Sequence, residues 1–141
     1  YPLNEETNFK INQIFRKLTK DKKQSVKSLE IKGRIFIIKN YFEKIARFDF
    51  DYLCNQNIGA EDYIKIAEVC DFIVIENIPK FDDENINKQQ RFITLIDILY
   101  EKRVSLMISS YTNLENFGSS RALVSPFKRT LSRLYELTSA N

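Results

Sequence analysis

Residues 72–110 read FIVIENIPKFDDENINKQQRFITLIDILYEKRVSLMISS, and the reading of this stretch decides the fold. Phe72 to Ile75 is an unbroken apolar run that ends in Glu76-Asn77. Such a run suits a strand buried on both faces of a parallel sheet. Pro79 and the acidic loop Asp82, Asp83, Glu84 follow, and Asn87 and Gln90 stand three apart as a capping box does. Phe92, Ile93, Leu95, Ile96, Ile98 and Leu99 then supply a broad apolar helix face to about Lys102. Val104 to Ile108 is a second apolar run, ending in Ser109-Ser110. Strand, helix, strand with short connections predicts a βαβ unit.

On the amino-terminal side, Ala60 to Cys70 places Tyr63, Ile64, Ala67 and Cys70 on one face of a helix, and Asp51 to Cys54 begins a short helix. Ile45 to Phe50 is a candidate third strand. Leu29 and Ile31 alternate with charged residues, Lys32-Gly33 makes a turn, and Ile35 to Ile38 return, which reads as a β-hairpin. Before it, Ile11, Ile14, Phe15 and Leu18 recur at helical spacing over roughly 4 to 20, with Asn4 as N-cap. On the carboxyl-terminal side, residues 111–125 are polar and read as a linker or mobile loop. Ser125 and Pro126 fit N-cap and N1 of a last helix with the stripe Phe127, Leu131, Leu134, Tyr135. The expected architecture is α/β: a helix and hairpin region over 1–50, an αβαβ core over 51–110, and a loop with a closing carboxyl-terminal helix over 111–141.

Composition removes several chemistries. There is no histidine, so no Ser-His-Asp triad, Cys-His pair or His-ligated metal. Cys54 and Cys70 are too few for a four-thiolate zinc site. Gly33, Gly59 and Gly118 begin neither G-x-G-x-x-G nor G-x-x-x-x-G-K. No residue is assigned a catalytic role and no metal site is expected. The net charge of +3 hides three blocks: +7 over residues 1–48, −8 over 49–101 and +4 over 102–141. These blocks either neutralise one another across the folded surface, the favoured reading, or leave a basic block for a phosphate-bearing partner. No apolar run is long enough for a membrane span, no signal peptide opens the chain, and two unpaired cysteines fit a reducing compartment, so a cytoplasmic location is expected. The first residue is Tyr1 rather than methionine, which predicts a segment of a longer protein.

Several residues are candidates for a site. In open parallel sheets ligands collect beyond the carboxyl ends of the strands. Glu76-Asn77 and Ser109-Ser110 are two such tips, an arrangement resembling the acidic and sensing tips of P-loop ATPases, although loops simply begin with polar residues there too. Lys128 and Arg129 fall in the expected first turn of the last helix, where the macrodipole disfavours cations unless an anion sits there. Arg129 and Arg133 are four apart and face one side. Arg91 is expected to pair with Asp82, Asp83 or Glu84, or else to complete a phosphate site across a subunit boundary. Tyr41, Phe42, Phe48, Phe50 and Tyr52 lie among Arg34, Lys39, Lys44 and Arg47. That cluster is read mainly as the inner face of strands, and nucleic acid is not the expected partner.

The segments YPL (1–3), RFDFDYLC (47–54), GAEDYIKIAE (59–68), the quoted 72–110 stretch and PFKRTLSRLYELTSA (126–140), in this order, resemble the C-terminal part of the ZapE-type AAA+ P-loop ATPase family. That family comprises bacterial cell-division ATPases and their mitochondrial lactation-elevated relatives. The resemblance implies a cytoplasmic ATPase acting at the division site, which binds ATP with Mg in its full-length form. Its phosphate loop, main acidic strand and first sensor would lie before Tyr1, and the segment alone would hold no cofactor. It further implies nucleotide-sensing candidates in Arg129 or Arg133, an intersubunit or structural candidate in Arg91, and as partners the nucleotide, division-site proteins and further copies of the protein. Gln90 replaces the first of the family's paired arginines. The βαβ stretch also looks like the acidic-strand, helix, sensor-strand stretch of initiator-type AAA+ proteins, where Glu76-Asn77 stands in place of two acids and points to a worn or structural version of that strand tip. The alternative reading is a non-catalytic protein-interaction module whose basic first third makes the contact.

Overall fold

Helix α1 (Glu5–Thr19) leads into strands β1 (Gln24–Ile31), β2 (Arg34–Phe42) and β3 (Ile45–Asp49) in the computed structural model, which describes residues 5–54 and 58–138. Two short helices, α2 (Phe50–Cys54) and α3 (Ala60–Val69), precede β4 (Phe72–Ile78), and α4 (Ile86–Glu101) joins it to β5 (Ser105–Ser110). Helix α5 (Val124–Thr138) follows a 13-residue connection over 111–123. The five strands form one sheet in sequence order. β1, β2 and β3 pair antiparallel, whereas β3, β4 and β5 pair parallel.

The hairpin expected at Lys32-Gly33 is present, with both residues at positive φ (46° and 77°). This is the pair of left-handed conformations that a two-residue turn needs to match strand twist. Glu43-Lys44 makes a second such turn, at φ 45° and 76°, with no glycine to announce it. The turn delivers β3, whose far edge pairs parallel with β4. β3 is thus the strand at which hairpin and βαβ unit become one sheet.

The apolar run of β4 is buried on both sides as expected. Ile73 and Ile75 belong to the large core under α2–α5, while Val74 packs with Ile11, Phe15 and Ile45 beneath α1. On α3 the buried face is Tyr63, Ile66 and Ala67 with Cys70 just beyond, not the expected set, because Ile64 points outward. On α5 the buried residues are Phe127, Thr130 and Leu134, and Tyr135 is half exposed. The five aromatics at 41–52 are all buried or half-buried in the strand region and offer no open stacking platform. The N-cap expected at Asn4 lies outside the described residues.

The segment 111–123 is packed rather than a linker. Phe117 and Ser120 have no exposed surface, and Phe81 N–H donates to the Phe117 carbonyl at 2.7 Å. Gly118 bridges Phe81 at φ 71°, and a Cβ there would stand 2.5 Å from the Phe81 carbonyl oxygen. Polar composition concealed this: Phe117 is the one fully buried apolar side chain of the segment, Leu114 and Leu123 pack partly against the core, and buried Gln89 on α4 bonds both Ser119 and Ser120.

Candidate functional site

The carboxyl ends of the parallel strands are filled by protein. Glu76 receives two bonds from the Arg47 guanidinium, which itself stacks over Phe15 at 5.2 Å. Ser109 is buried and its Oγ accepts the Asn77 N–H at 3.0 Å. There β4 breaks register with β5 and Asn77 takes φ 65°. Just beyond, Phe81 is surrounded by Phe50, Phe92, Phe117 and Phe127, with ring centroids 5.4 to 6.3 Å away. An aromatic core thus follows closely on the carboxyl end of β4, the region where open parallel sheets take ligands. Both tip residues therefore have structural partners.

Arg91 does not reach the acidic loop. It lies in the second turn of α4, and its Nη1 donates to the Cys54 carbonyl at the end of α2, at 3.3 Å. The acids are taken otherwise. Asp82 Oδ1 accepts from Glu84 N–H and Asn85 N–H while Asn85 Oδ1 accepts from Asp82 N–H, closing a capping box on the turn Asp83–Asn85 that feeds α4. This box displaces the one expected at Asn87 and Gln90. Asp83 accepts from both the backbone N–H and the Nε of Arg121, which holds its carboxyl below the usual aspartate range.

Helix α5 begins at Val124, after a 3₁₀ turn over Arg121–Leu123. Lys128 and Arg129 consequently sit in the second turn, past the strongest part of the dipole, and the expected conflict with it does not arise. Arg129 and Arg133 do come together, on a residue that sequence spacing did not single out. Both donate to Asp97 of α4: Arg133 Nη1 to Oδ1 at 2.5 Å, and Arg129 Nη2 to Oδ2 at 3.4 Å. Arg133 also lies over the Tyr100 ring at 4.7 Å, and Tyr100 donates to Glu136, the first cause of its raised pKa. The two guanidiniums differ in freedom, since the Arg133 side chain is 21% exposed and that of Arg129 61%. Asp97 stands eleven residues into α4, about 16 Å down the helix from the end that faces the carboxyl edge of the sheet. The i, i+4 spacing of Arg129 and Arg133 gave the sequence signal for the site, and nothing local pointed to Asp97.

Burial pushes the thiols of Cys54 and Cys70 up to about 12, so both are protonated and inert at neutral pH. Among the described residues no group of three acidic or cysteine side chains could hold a metal, and the glycines sit in a hairpin turn, before α3 and against Phe81. No helix of the described residues is long and apolar enough to cross a membrane.

A mixed sheet with a parallel half and helices on both faces makes this an α/β protein, and the P-loop AAA+ type follows from its family. It belongs to the AFG1-like ATPase family, whose profile matches residues 1–141. The cell division protein ZapE of Escherichia coli, in strains K12 and O157:H7, is 27% identical over 138 residues, which is 98% of this chain and 37% of that protein. Lactation elevated protein 1 homolog B of Danio rerio is 34% identical over 80 residues, 57% of this chain and 16% of that protein. The chain thus spans little more than a third of the ZapE proteins it matches. No solved structure matches it.

Proposed function

We propose that residues 1–141 are the C-terminal portion of an ATP-hydrolysing, cytoplasmic protein linked to cell division. In this reading the Mg-ATP site, with its phosphate loop, is carried outside the segment, and Arg129 senses the nucleotide. Family membership supports the ATPase reading. The observation that carries the arginine's role is the shared carboxylate. One Asp97 serves two guanidiniums, and Arg129 holds its bond at long range from an exposed position. An exposed pair of this kind contributes about 0–1 kcal/mol, so a phosphate oxygen can draw Arg129 away at little cost. Arg133, half-buried against Tyr100, positions Asp97 instead. Because the pair lies well down α4, the triphosphate it meets is not at the edge of this sheet but on a neighbouring part or copy of the protein. For Arg91, the bond to Cys54 supports the structural role rather than the intersubunit one.

The test is ATP hydrolysis by the complete protein. Arg129→Ala should lower kcat at least tenfold with an unchanged melting temperature, and Arg129→Lys should restore part of it. Arg133→Ala should lower the melting temperature, by about 1–2 kcal/mol of stability. Wild-type hydrolysis in both alanine variants would remove the sensing role.

A specific observation favours the second reading, a protein-interaction module docking a division-site partner. Val26 and Ile35 on the outer face of the basic hairpin are 64% and 69% exposed. If that reading held, Ile35→Lys would abolish partner capture and Arg129→Ala would change nothing.

A further inference from the structure

The two edges of the sheet are built differently. The β1 edge carries Lys27 and Glu30 and an irregularity between Ser25 and Lys27, the devices by which proteins keep an edge from pairing with another strand. β5, the other edge, reads Ser-Leu-Met-Ile-Ser-Ser, with no charge and no proline, and its register with β4 is regular from Ser105 to Ile108. Along it runs a groove of about 890 Å³. Ile14 and Leu18 of α1 stand on one side, Tyr135 and Leu137 of α5 on the other, with Met107 between them and Leu114 at the end of the strand. The groove is therefore a slot between the two helix layers, open at the hydrogen-bonding edge of a parallel strand.

We propose that this slot is the seat of a sixth strand, added to β5 and supplied by the same polypeptide from outside residues 1–141. The inference rests on the reading above, that the chain is part of a longer ATPase. A strand entering here is covered by α1 on one face and α5 on the other. It must therefore be apolar on both faces, a run of the kind seen at Phe72–Ile75 rather than an alternating one. Among the described residues the apolar strand runs are already in the sheet, so none of these is spare. A second copy offers its β1 edge, which Lys27, Glu30 and the irregularity at Ser25/Lys27 keep from pairing, and its β5 edge, flanked by its own α1 and α5. Those walls keep two β5 backbones from approaching to the spacing of about 4.8 Å that pairing needs. The matched ZapE proteins are nearly three times as long as the stretch they share with this chain, which leaves ample length to supply the strand.

Amide hydrogen exchange on the complete protein, read residue by residue by NMR without nucleotide, tests the proposal. In a free edge strand alternate amides face solvent. All amides of 105–110 should therefore exchange slowly, while alternate amides of 24–30 exchange at least a hundredfold faster. Met107→Asp should accelerate exchange at 105–110 at least tenfold and leave the β1–β2 pair unchanged. If that variant fails to fold, the wild-type pattern still decides. Fast alternate amides in β5 of the wild type would overturn the added strand. Protection that disappears on dilution would assign the slot to a second copy and equally overturn it. The measurement does not depend on hydrolysis: slow amides in a protein without ATPase activity would retain the sixth strand and discard only the enzymatic reading.

Discussion

Lys44 occupies the left-handed region at φ 76° with an exposed side chain, and its carbonyl accepts from Asp71 N–H at 2.7 Å. The conformation costs a non-glycine residue about 1–2 kcal/mol, against which glycine loses some backbone entropy on folding. Lys44→Gly should therefore stabilise the protein by about 1 kcal/mol, seen as a rise of about 4 °C in melting temperature. Gly118 presents the reverse case. Its φ of 71° and the contact a Cβ would make with the Phe81 carbonyl leave alanine no room. Gly118→Ala should cost about 1–3 kcal/mol in urea unfolding. The signs are opposite at nearly equal φ because one substitution brings glycine to a left-handed position and the other removes it, and at Gly118 the approach to the Phe81 carbonyl adds to the cost.

At the scale of elements, the connection 111–123 is fastened to the start of α4 through Asp83 and Arg121, together with the Gln89 bonds to Ser119 and Ser120. The Asp83 carboxyl is held below its ordinary value, chiefly by the Arg121 backbone N–H. A depressed folded value means that the fastening is complete above the ordinary aspartate range and is lost as pH falls through the folded value. Amide exchange over 117–123 should accordingly speed up as pH is lowered below about 4, once corrected for the intrinsic pH dependence of exchange. Asp83→Asn should show the faster exchange already at neutral pH, and little further change on acidification. Equal protection in the two proteins at neutral pH would assign the order of this connection to Phe117 alone.

For the whole molecule, the three charge blocks largely neutralise one another. Lys32 pairs with Glu61, Arg34 with Asp62 and Arg47 with Glu76, joining the basic first block to the acidic middle. Arg121 with Asp83, and Arg129 and Arg133 with Asp97, join the last block to it. The favoured reading of the charge pattern thus agrees with the fold. Phe81 is the other long-range tie: it brings α2, α4, α5 and the final connection into one aromatic core. Phe81→Ala should cost about 3–5 kcal/mol. It should also loosen 111–123 before the rest, which exchange or limited proteolysis would detect as early cleavage between Tyr111 and Leu123.

Periodicity, the Lys-Gly turn and the apolar runs were enough to read α1, the first hairpin, β4, α4, β5 and α5 from the amino acids, since each depends on residues a few positions apart. The family was also legible there, in motifs at Arg47–Cys54, Arg91–Leu106 and Phe127–Leu134 whose order carries the likeness. What tertiary structure alone decided was the choice of partners. Arg91 went to a carbonyl 37 residues away, Ser109 to the backbone of the neighbouring strand, and two arginines to a carboxylate 32 and 36 residues distant. The residues alone left each of these side chains several partners of suitable charge or hydrogen-bonding character. Packing selected among them, because the buried apolar surface fixes which elements meet, and the polar groups then bond with what that arrangement brings within reach.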